Sequence, residues 1–199
     1  MPGAEIGLCR KEDLRRDWLA DLETRKRNHD YFTRHRRMGR KLRLQFALLD
    51  QARVGSFDFQ TKIRREGRSM IIVFNYVDTL HFYYAHLSGD RRTDQPVHNG
   101  LFIVNGEPRK RIAGTEAPPA LPDREWHQVR VARDASSGLI EVFVDGAKEH
   151  LFSVVDRTFT CGQIGVGSFD ETGNFDDIAL NSHDAGCEPG AVVRPASTN

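Results

Sequence analysis

From residue 41 onward, hydrophobic residues recur at every second position, which is the spacing of a half-buried β-strand. The clearest case is the segment 125–146, where two alternating stretches flank the short polar turn 136–138. Val129 and Val131 share one face of the first stretch, and residues 140–144 repeat the alternation in the second. The pattern predicts a β-hairpin.

The same alternation predicts about ten strands in all, a number typical of a two-sheet antiparallel sandwich. The predicted strands are 42–48, 57–63, 70–76, 80–87, 101–105, 109–113, the two strands of the hairpin, 150–155, 163–168 and 175–180. Clusters of Gly, Pro, Asn and Asp separate them, and helical periodicity is absent after residue 40. Since 199 residues suffice for one domain with a substantial core, we expect an all-β jelly-roll sandwich over residues 41–181.

The segments on either side of the predicted sandwich differ from it in composition. Residues 182–199 are rich in Pro, Gly, Ala and Ser, which predicts a loosely ordered tail. Residues 1–40 form a polar and basic arm, in which four apolar residues are spaced as in one short amphipathic helix. These residues are Leu14, Trp18, Leu19 and Leu22.

The charge of the chain limits its partners. Charged residues make up 29% of the chain, yet the formal net charge is only +1, which argues against a dedicated nucleic-acid binder. The basic residues between Lys26 and Arg43 are the one local exception, and a solvated arm is the simpler interpretation because this segment matches no nucleic-acid motif. We therefore expect no nucleic-acid partner.

Neither a membrane span nor a zinc site is predicted. No apolar run approaches the roughly 18 to 20 residues that cross a bilayer, and the N-terminal residues lack the apolar region of a signal peptide. Cys9, Cys161 and Cys187 form an odd set without CxxC spacing, which disfavours zinc. Free thiols are the simpler interpretation of these cysteines, and a Cys161–Cys187 disulfide in an oxidising compartment is the alternative.

The hairpin, with Trp126 before its first strand and Val-Asp-Gly at 144–146, resembles that of the concanavalin A-like superfamily and its laminin G-like jelly-roll domains. The segments 82–113 and 167–180 are similar to those of poorly characterised bacterial proteins of this group. The resemblance implies a glycan or polysaccharide partner and a protein that is often extracellular or periplasmic. Hydrolases of this fold carry paired glutamates on one strand, and their absence here argues against retaining hydrolysis.

Aromatic, histidine, arginine and asparagine residues cluster on and after the predicted strand 80–87. Period two places Tyr84 and His86 on one face and Tyr83 on the other. If the first face is an open, concave one, a ring can stack on a sugar while cationic groups bind hydroxyls or a uronate carboxylate. A dry, apolar face would argue against this. The predicted sugar contacts are Tyr83, Tyr84, His86, Arg91, Arg92, His98, Asn99, Asn105, Arg109 and Arg111. A structural role for the aromatic residues and a charge-protected edge strand at 109–111 are the alternatives.

Three functions fit this cluster and the resemblance. The first is a carbohydrate-binding or accessory domain that holds a glycan on the concave face. The second is a β-eliminating polysaccharide lyase, in which His98 would remove the proton, Tyr84 would protonate the leaving oxygen and Asn99 would neutralise the carboxylate. His86 and Tyr83 are the alternative base and acid. The third is a laminin G-type protein interaction domain that uses loops at a calcium rim.

The last predicted strand lies in an acidic segment that contains Asp170, Asp176 and Asp177. Several jelly-roll domains hold a structural calcium ion with an aspartate of the closing strand, since Ca²⁺ takes six to eight oxygen ligands. The resemblance implies Asp177 as a ligand of a structural Ca²⁺. The alternative is a turn in which Asp170 and Asn174 bond the local backbone.

Overall fold

The structure is a computed structural model that describes residues 45–90, 98–169, 171–184 and 187, apart from the side chains of residues 45 and 50–52. Within these ranges the regular secondary structure consists of strands. The strands are β1 (Gln45–Val54), β2 (Phe57–Arg65), β3 (Ser69–Asp78), β4 (His81–Ser88), β5 (Gly100–Asn105), β6 (Lys110–Ala113), β7 (His127–Asp134), β8 (Leu139–Val144), β9 (Phe152–Val155), β10 (Gly162–Ser168) and β11 (Gly173–Ser182).

The strands form two antiparallel sheets. The six-stranded sheet has the order β1-β10-β3-β4-β5-β6, and the five-stranded sheet has the order β11-β2-β7-β8-β9. The hairpin predicted from residues 125–146 is β7 and β8, in which Val131 pairs with Val142 across the two strands. The prediction of an all-β, two-sheet antiparallel sandwich is confirmed.

The main hydrophobic core lies between the two sheets. The five-stranded sheet contributes Phe59 and Val131 among others, and the six-stranded sheet contributes Ile72 and Tyr83. Because these residues alternate with outward-facing ones, each sheet also has an outer face. On β4, Phe82 and Tyr84 belong instead to a second apolar cluster on the outer face of the six-stranded sheet. The predicted separation of Tyr83 from Tyr84 is therefore confirmed.

The outer face of the six-stranded sheet is the one that the sequence predicts to be concave, and we call it the concave face. Phe46 on β1 contacts Phe82 on β4, with ring centroids 5.7 Å apart, although β10 and β3 lie between these strands. The backbones of β1 and β4 are three strand spacings apart, or about 14 Å, so the two side chains lean toward each other. The outward positions of β10 are Gly165 and Gly167, which pair with Val73 and Ile71 of β3. Because they lack side chains, Phe46 can lean over β10 toward the middle of the sheet.

Several predicted features lie outside the described residues. These are the basic arm and its predicted helix, the basic run between Lys26 and Arg43, the sugar contacts Arg91 and Arg92, the predicted turn residue Asp170 and most of the tail. Among the described residues, no helix is long and apolar enough to span a membrane.

A disulfide bond joins Cys161 to Cys187, so the expectation of free thiols at these two positions is wrong and the alternative holds. The bond attaches the segment after β11 to the beginning of β10. Asp184 in the same segment accepts hydrogen bonds from the backbone N–H groups of Gly55 and Ser56, at 3.0 and 2.7 Å. The end of the described chain is therefore held against the β1–β2 turn as well as β10.

Loss of this disulfide should destabilise the protein, because the bond closes a loop with a sequence separation of 26 residues and so restricts the unfolded chain. Cys187→Ser should lower the free energy of unfolding by about 2–4 kcal/mol, measured by urea denaturation under oxidising conditions. Cys9→Ser removes a cysteine outside this bond and serves as the control. Equal urea midpoints for the wild type and Cys187→Ser would contradict the structural role of the bond.

Candidate functional site

Tyr83 lies in the core between the sheets. Its hydroxyl donates a hydrogen bond to Asp156 Oδ1 at 2.5 Å and accepts one from the backbone N–H of Phe159 at 3.1 Å. Burial raises the pKa of Tyr83 to about 12, and the bond to Asp156 acts in the same direction. The structure thus separates Tyr83 from Tyr84, whereas Asn105 shares its side of the sheet, since His81 and Tyr83 pair with Asn105 and Ile103.

Tyr84 and His86 do lie on the concave face, but they do not meet solvent. Their exposed fractions are 0% and 1%. The ring of Tyr84 stacks on Phe102 with centroids 5.0 Å apart and meets the edge of Phe169 at 5.2 Å. The expectation that Tyr84 and His86 line an open groove is therefore wrong, because neighbouring aromatic side chains pack against them and exclude solvent.

The imidazole of His86 has one hydrogen-bonding partner. Its Nε2 lies 2.9 Å from Ser69 Oγ, whereas Nδ1 is buried without a partner. Burial lowers the pKa of His86 well below its usual value, and the nearby Arg109, His98 and Arg111 act in the same direction. His86 is therefore neutral at physiological pH.

His98 and Asn99 lie where the chain enters β5. His98 Nδ1 is 2.9 Å from Asp90 Oδ2, and the ring centroid of His98 is 5.3 Å from that of His86. Burial lowers the pKa of His98, although Asp90 opposes the shift. The structure therefore brings Tyr84, His86 and His98 together, and their proposed acid and base roles stay predictions.

The amide of Asn99 is buried and bonded to backbone groups. It donates to the carbonyl of Pro118 at 2.7 Å and accepts from the N–H groups of Ala120 and Ser88 at 3.1 and 3.4 Å. These bonds hold the loop before β7 against the end of β4. Because Asn99 is only 4% exposed, a substrate carboxylate has little access to the amide N–H that these bonds leave over.

Asp177 lies in a β-bulge of β11, with a backbone φ of +49°. Its carboxylate forms an ion pair with Lys62 Nζ at 2.6 Å. Among the described residues, no three or more His, Cys, Asp or Glu side chains are grouped so as to hold a metal ion. The calcium site at Asp177 stays a prediction.

The outer face of the five-stranded sheet contains a cleft that sequence analysis missed. Its volume is about 460 Å³, and its lining residues are Lys62, Trp126, Gln128, Asp145 and Asp176. Trp126 is 40% exposed. From the sequence it was recognised only as part of the hairpin, and not as a ligand contact. The signal was present in β2, where polar residues at every second position from Asp58 to Arg64 mark a sheet face that meets water.

Hydrogen bonds around His127 fix the backbone beside Trp126. Asp145, with a φ of +53°, accepts from the N–H of Gln128 at 2.9 Å and lies 2.7 Å from His127 Nδ1. The other ring nitrogen of His127 lies 3.0 Å from Asp123 Oδ1. Burial opposes protonation of His127, but the two carboxylates outweigh it and raise its pKa. We call this arrangement of Asp123, His127 and Asp145 the His127 clamp.

Two ion pairs lie on this outer face. Lys62 pairs with Asp177, and Arg130 pairs with Asp58 at 3.2 Å. Gln128 donates a hydrogen bond to Gln60 at 3.3 Å. The surface around Trp126 therefore offers amides as well as charged groups of both signs.

Comparison with known proteins supports the fold. No protein-family model matches the chain, and no curated protein matches its sequence. Among solved structures, the chain is similar to the carbohydrate binding module CBM66 from Bacillus subtilis, with a TM-score of 0.53 and 15% identity over 65% of this chain and 77% of that one. At this identity the likeness shows the β-sandwich fold alone, and membership of the concanavalin A-like superfamily stays a prediction.

Two further solved structures match with lower TM-scores. Domain 4 of AbnA, a GH43 extracellular arabinanase from Geobacillus stearothermophilus, aligns with a TM-score of 0.45 and 12% identity over 66% of this chain and 62% of that one. A heptameric SAP-like pentraxin from Limulus polyphemus aligns with a TM-score of 0.40 and 14% identity over 65% of each chain. We draw no argument from these two.

The His127 clamp predicts a specific pH dependence of stability. Because folding raises the pKa of His127, protonated His127 stabilises the fold fully below its unfolded pKa of about 6.5, and this contribution disappears as the pH rises through the folded pKa. The difference in unfolding free energy between the wild type and His127→Gln should therefore be largest at acidic pH and shrink toward pH 9. His150→Gln, at a half-exposed histidine paired with Glu141, is the control. A difference that is the same at pH 6 and pH 9 would contradict the clamp.

Proposed function

We propose that this protein is a carbohydrate-binding or accessory domain and that its glycan lies on the outer face of the five-stranded sheet, at Trp126. One observation carries the proposal: a partly exposed indole borders a cleft of about 460 Å³ whose other lining groups are amide, carboxylate and ammonium. This location replaces the concave face, because Tyr84 and His86 are buried there.

The chemistry of the cleft suits a saccharide. A sugar ring has C–H groups that pack on an aromatic surface and hydroxyls at its edge that both donate and accept hydrogen bonds. Trp126 supplies the aromatic surface. Gln128 offers a donor and an acceptor, while Asp176 accepts and Lys62 donates. The cleft volume also falls within the range of roughly 300–1,000 Å³ that is usual for small-ligand sites.

The cleft is also held in place before any ligand arrives. The His127 clamp fixes the backbone beside Trp126 and Gln128, and the guanidinium of Arg64 lies 5.0 Å from the centroid of the Trp126 ring. The ring therefore has a packed partner within the protein. A preorganised site loses less entropy on binding, which favours affinity for a small flexible ligand.

The structural likeness to a carbohydrate binding module is consistent with this proposal. Since one fold hosts many functions, the argument rests on the cleft and not on the likeness.

The β-eliminating lyase has weaker support. An acid or base catalyst must come within hydrogen-bonding reach of its substrate. Tyr84 is buried under aromatic rings, and the Asn99 amide is bonded to backbone groups. Binding without chemistry is therefore the function that the geometry supports best.

Removal of the indole should weaken glycan binding. Trp126→Ala should lower the affinity for the neutral polysaccharides that the wild type retains by at least about fivefold, since aromatic contacts contribute about 1 kcal/mol beyond the area they bury. The measurement is affinity electrophoresis with soluble glucans, xylans, arabinans and fructans, followed by calorimetry on oligosaccharides of the retained polymer.

Tyr84→Phe is the matched control, because it alters an aromatic residue on the concave face and keeps the ring. It should bind as the wild type does. A wild type that binds none of these polysaccharides would contradict the proposed function. Unchanged binding by Trp126→Ala, with or without a loss in Tyr84→Phe, would contradict the proposed site.

A further inference from the structure

Two arginine side chains lie beside the aromatic residues on the outer face of the six-stranded sheet. Arg111 of β6 pairs with Phe102 of β5, which in turn pairs with Tyr84 of β4. The guanidinium carbons of Arg109 and Arg111 lie 5.5 and 5.4 Å from the centroid of the Phe102 ring. Both guanidinium groups are thus held near the same aromatic ring, at the edge of the concave face.

Neither arginine has an acidic partner. Among the described residues, Arg109 and Arg111 form no ion pair, whereas Arg130 on the opposite sheet pairs with Asp58. The carboxylate of Asp90 is engaged by Arg68 at 3.3 Å and by His98 at 2.9 Å. Burial lowers the pKa of Arg111, and the positive charge of Arg109 lowers it further. The two like charges therefore interact, and within the described part of the chain neither forms an ion pair with a carboxylate.

Hydrogen-bonding groups beside the two arginines are also unused. Arg111 Nε is buried and has no partner, and the same is true of His86 Nδ1. Arg109 Nη1 makes only a long hydrogen bond of 3.4 Å to the Tyr84 hydroxyl. Buried polar groups normally find partners, so a group of them without partners requires an explanation.

We propose that Arg109 and Arg111 bind an oxyanion, namely a carboxylate or sulfate group carried by a ligand. A guanidinium presents paired N–H donors that match the oxygen spacing of such groups. A bound anion would neutralise the repulsion between the two arginines and would accept hydrogen bonds from their accessible guanidinium N–H groups. The site is open to ligands because β6 is the edge strand of its sheet and both arginines remain partly exposed.

This site is separate from the Trp126 cleft, which belongs to the other sheet. The two proposals can therefore fail independently, since one predicts binding of neutral saccharides and the other predicts binding of an anion.

The competing explanation is that the arginines only stabilise the sheet edge. It makes the opposite prediction for the protein without ligand. If Arg111 packs structurally, Arg111→Gln should lower the melting temperature. If Arg111 is an uncompensated charge kept for binding, Arg111→Gln should melt at the same temperature as the wild type or higher.

The experiment measures melting temperatures in sodium glucuronate, sodium sulfate and sodium chloride at equal ionic strength. Glucuronate, sulfate or both should raise the melting temperature of the wild type above its value in chloride, by about 3–6 °C at ten times the dissociation constant. Lys110→Gln should behave as the wild type does, because it removes one positive charge from the same strand at an exposed position that alternates with the arginines. Arg109→Gln and Arg111→Gln should lose the rise.

The response to each anion identifies the charged group of the ligand. A higher melting temperature in glucuronate alone indicates a carboxylate ligand, and a higher melting temperature in sulfate alone indicates a sulfate ester. No rise in the wild type with either anion would overturn the proposal, and so would an equal rise in the wild type and both arginine variants. Should one arginine variant fail to fold, the wild type, Lys110→Gln and the other arginine variant still decide.

Discussion

The packing on the outer face of the six-stranded sheet depends on two glycines of β10, Gly165 and Gly167. Gly165 faces outward, and a Cβ there would lie 2.3 Å from the carbonyl oxygen of Ala47 and 2.9 Å from the Cα of Leu48. Both contacts are with backbone, so no rotamer change relieves them. Because Gly165 and Gly167 leave the outward surface of β10 empty, Phe46 reaches Phe82 across two strands. The concave face is closed as a second apolar cluster, and an open groove does not form at its centre.

The two outer faces therefore differ in the chemical groups that they expose. The concave face buries its aromatic residues and has at its edge two arginines that form no ion pair with any described residue. The outer face of the five-stranded sheet differs, because it holds two ion pairs and, among the described residues of that sheet, its one large exposed aromatic residue is Trp126. A saccharide that stacks and an anion that pairs with guanidinium would therefore bind to different sheets.

The sequence was sufficient to predict the fold and which residues share a face, because alternation is a local property. Tyr83 and Tyr84 were assigned to opposite faces on this basis, and the structure agrees. Whether a face is open to solvent depends on residues far apart in the chain, such as Phe46 and Phe82. The alternation of residues along a single strand therefore does not predict it. The Trp126 cleft escaped for the same reason: it forms only when β2 and β11 bring Lys62 and Asp176 beside β7.

The central claim is that the open face of the five-stranded sheet, and not the concave face, receives a neutral glycan. Chemical-shift mapping of the backbone and indole N–H groups with an oligosaccharide of the retained polymer tests it most directly, because each N–H group gives its own signal. The largest shifts should fall on the Trp126 indole, Gln128 and Lys62, with little change at Tyr84 and Phe102. Shifts centred on Tyr84, His86 and Phe102, with an unchanged Trp126 indole, would contradict the account.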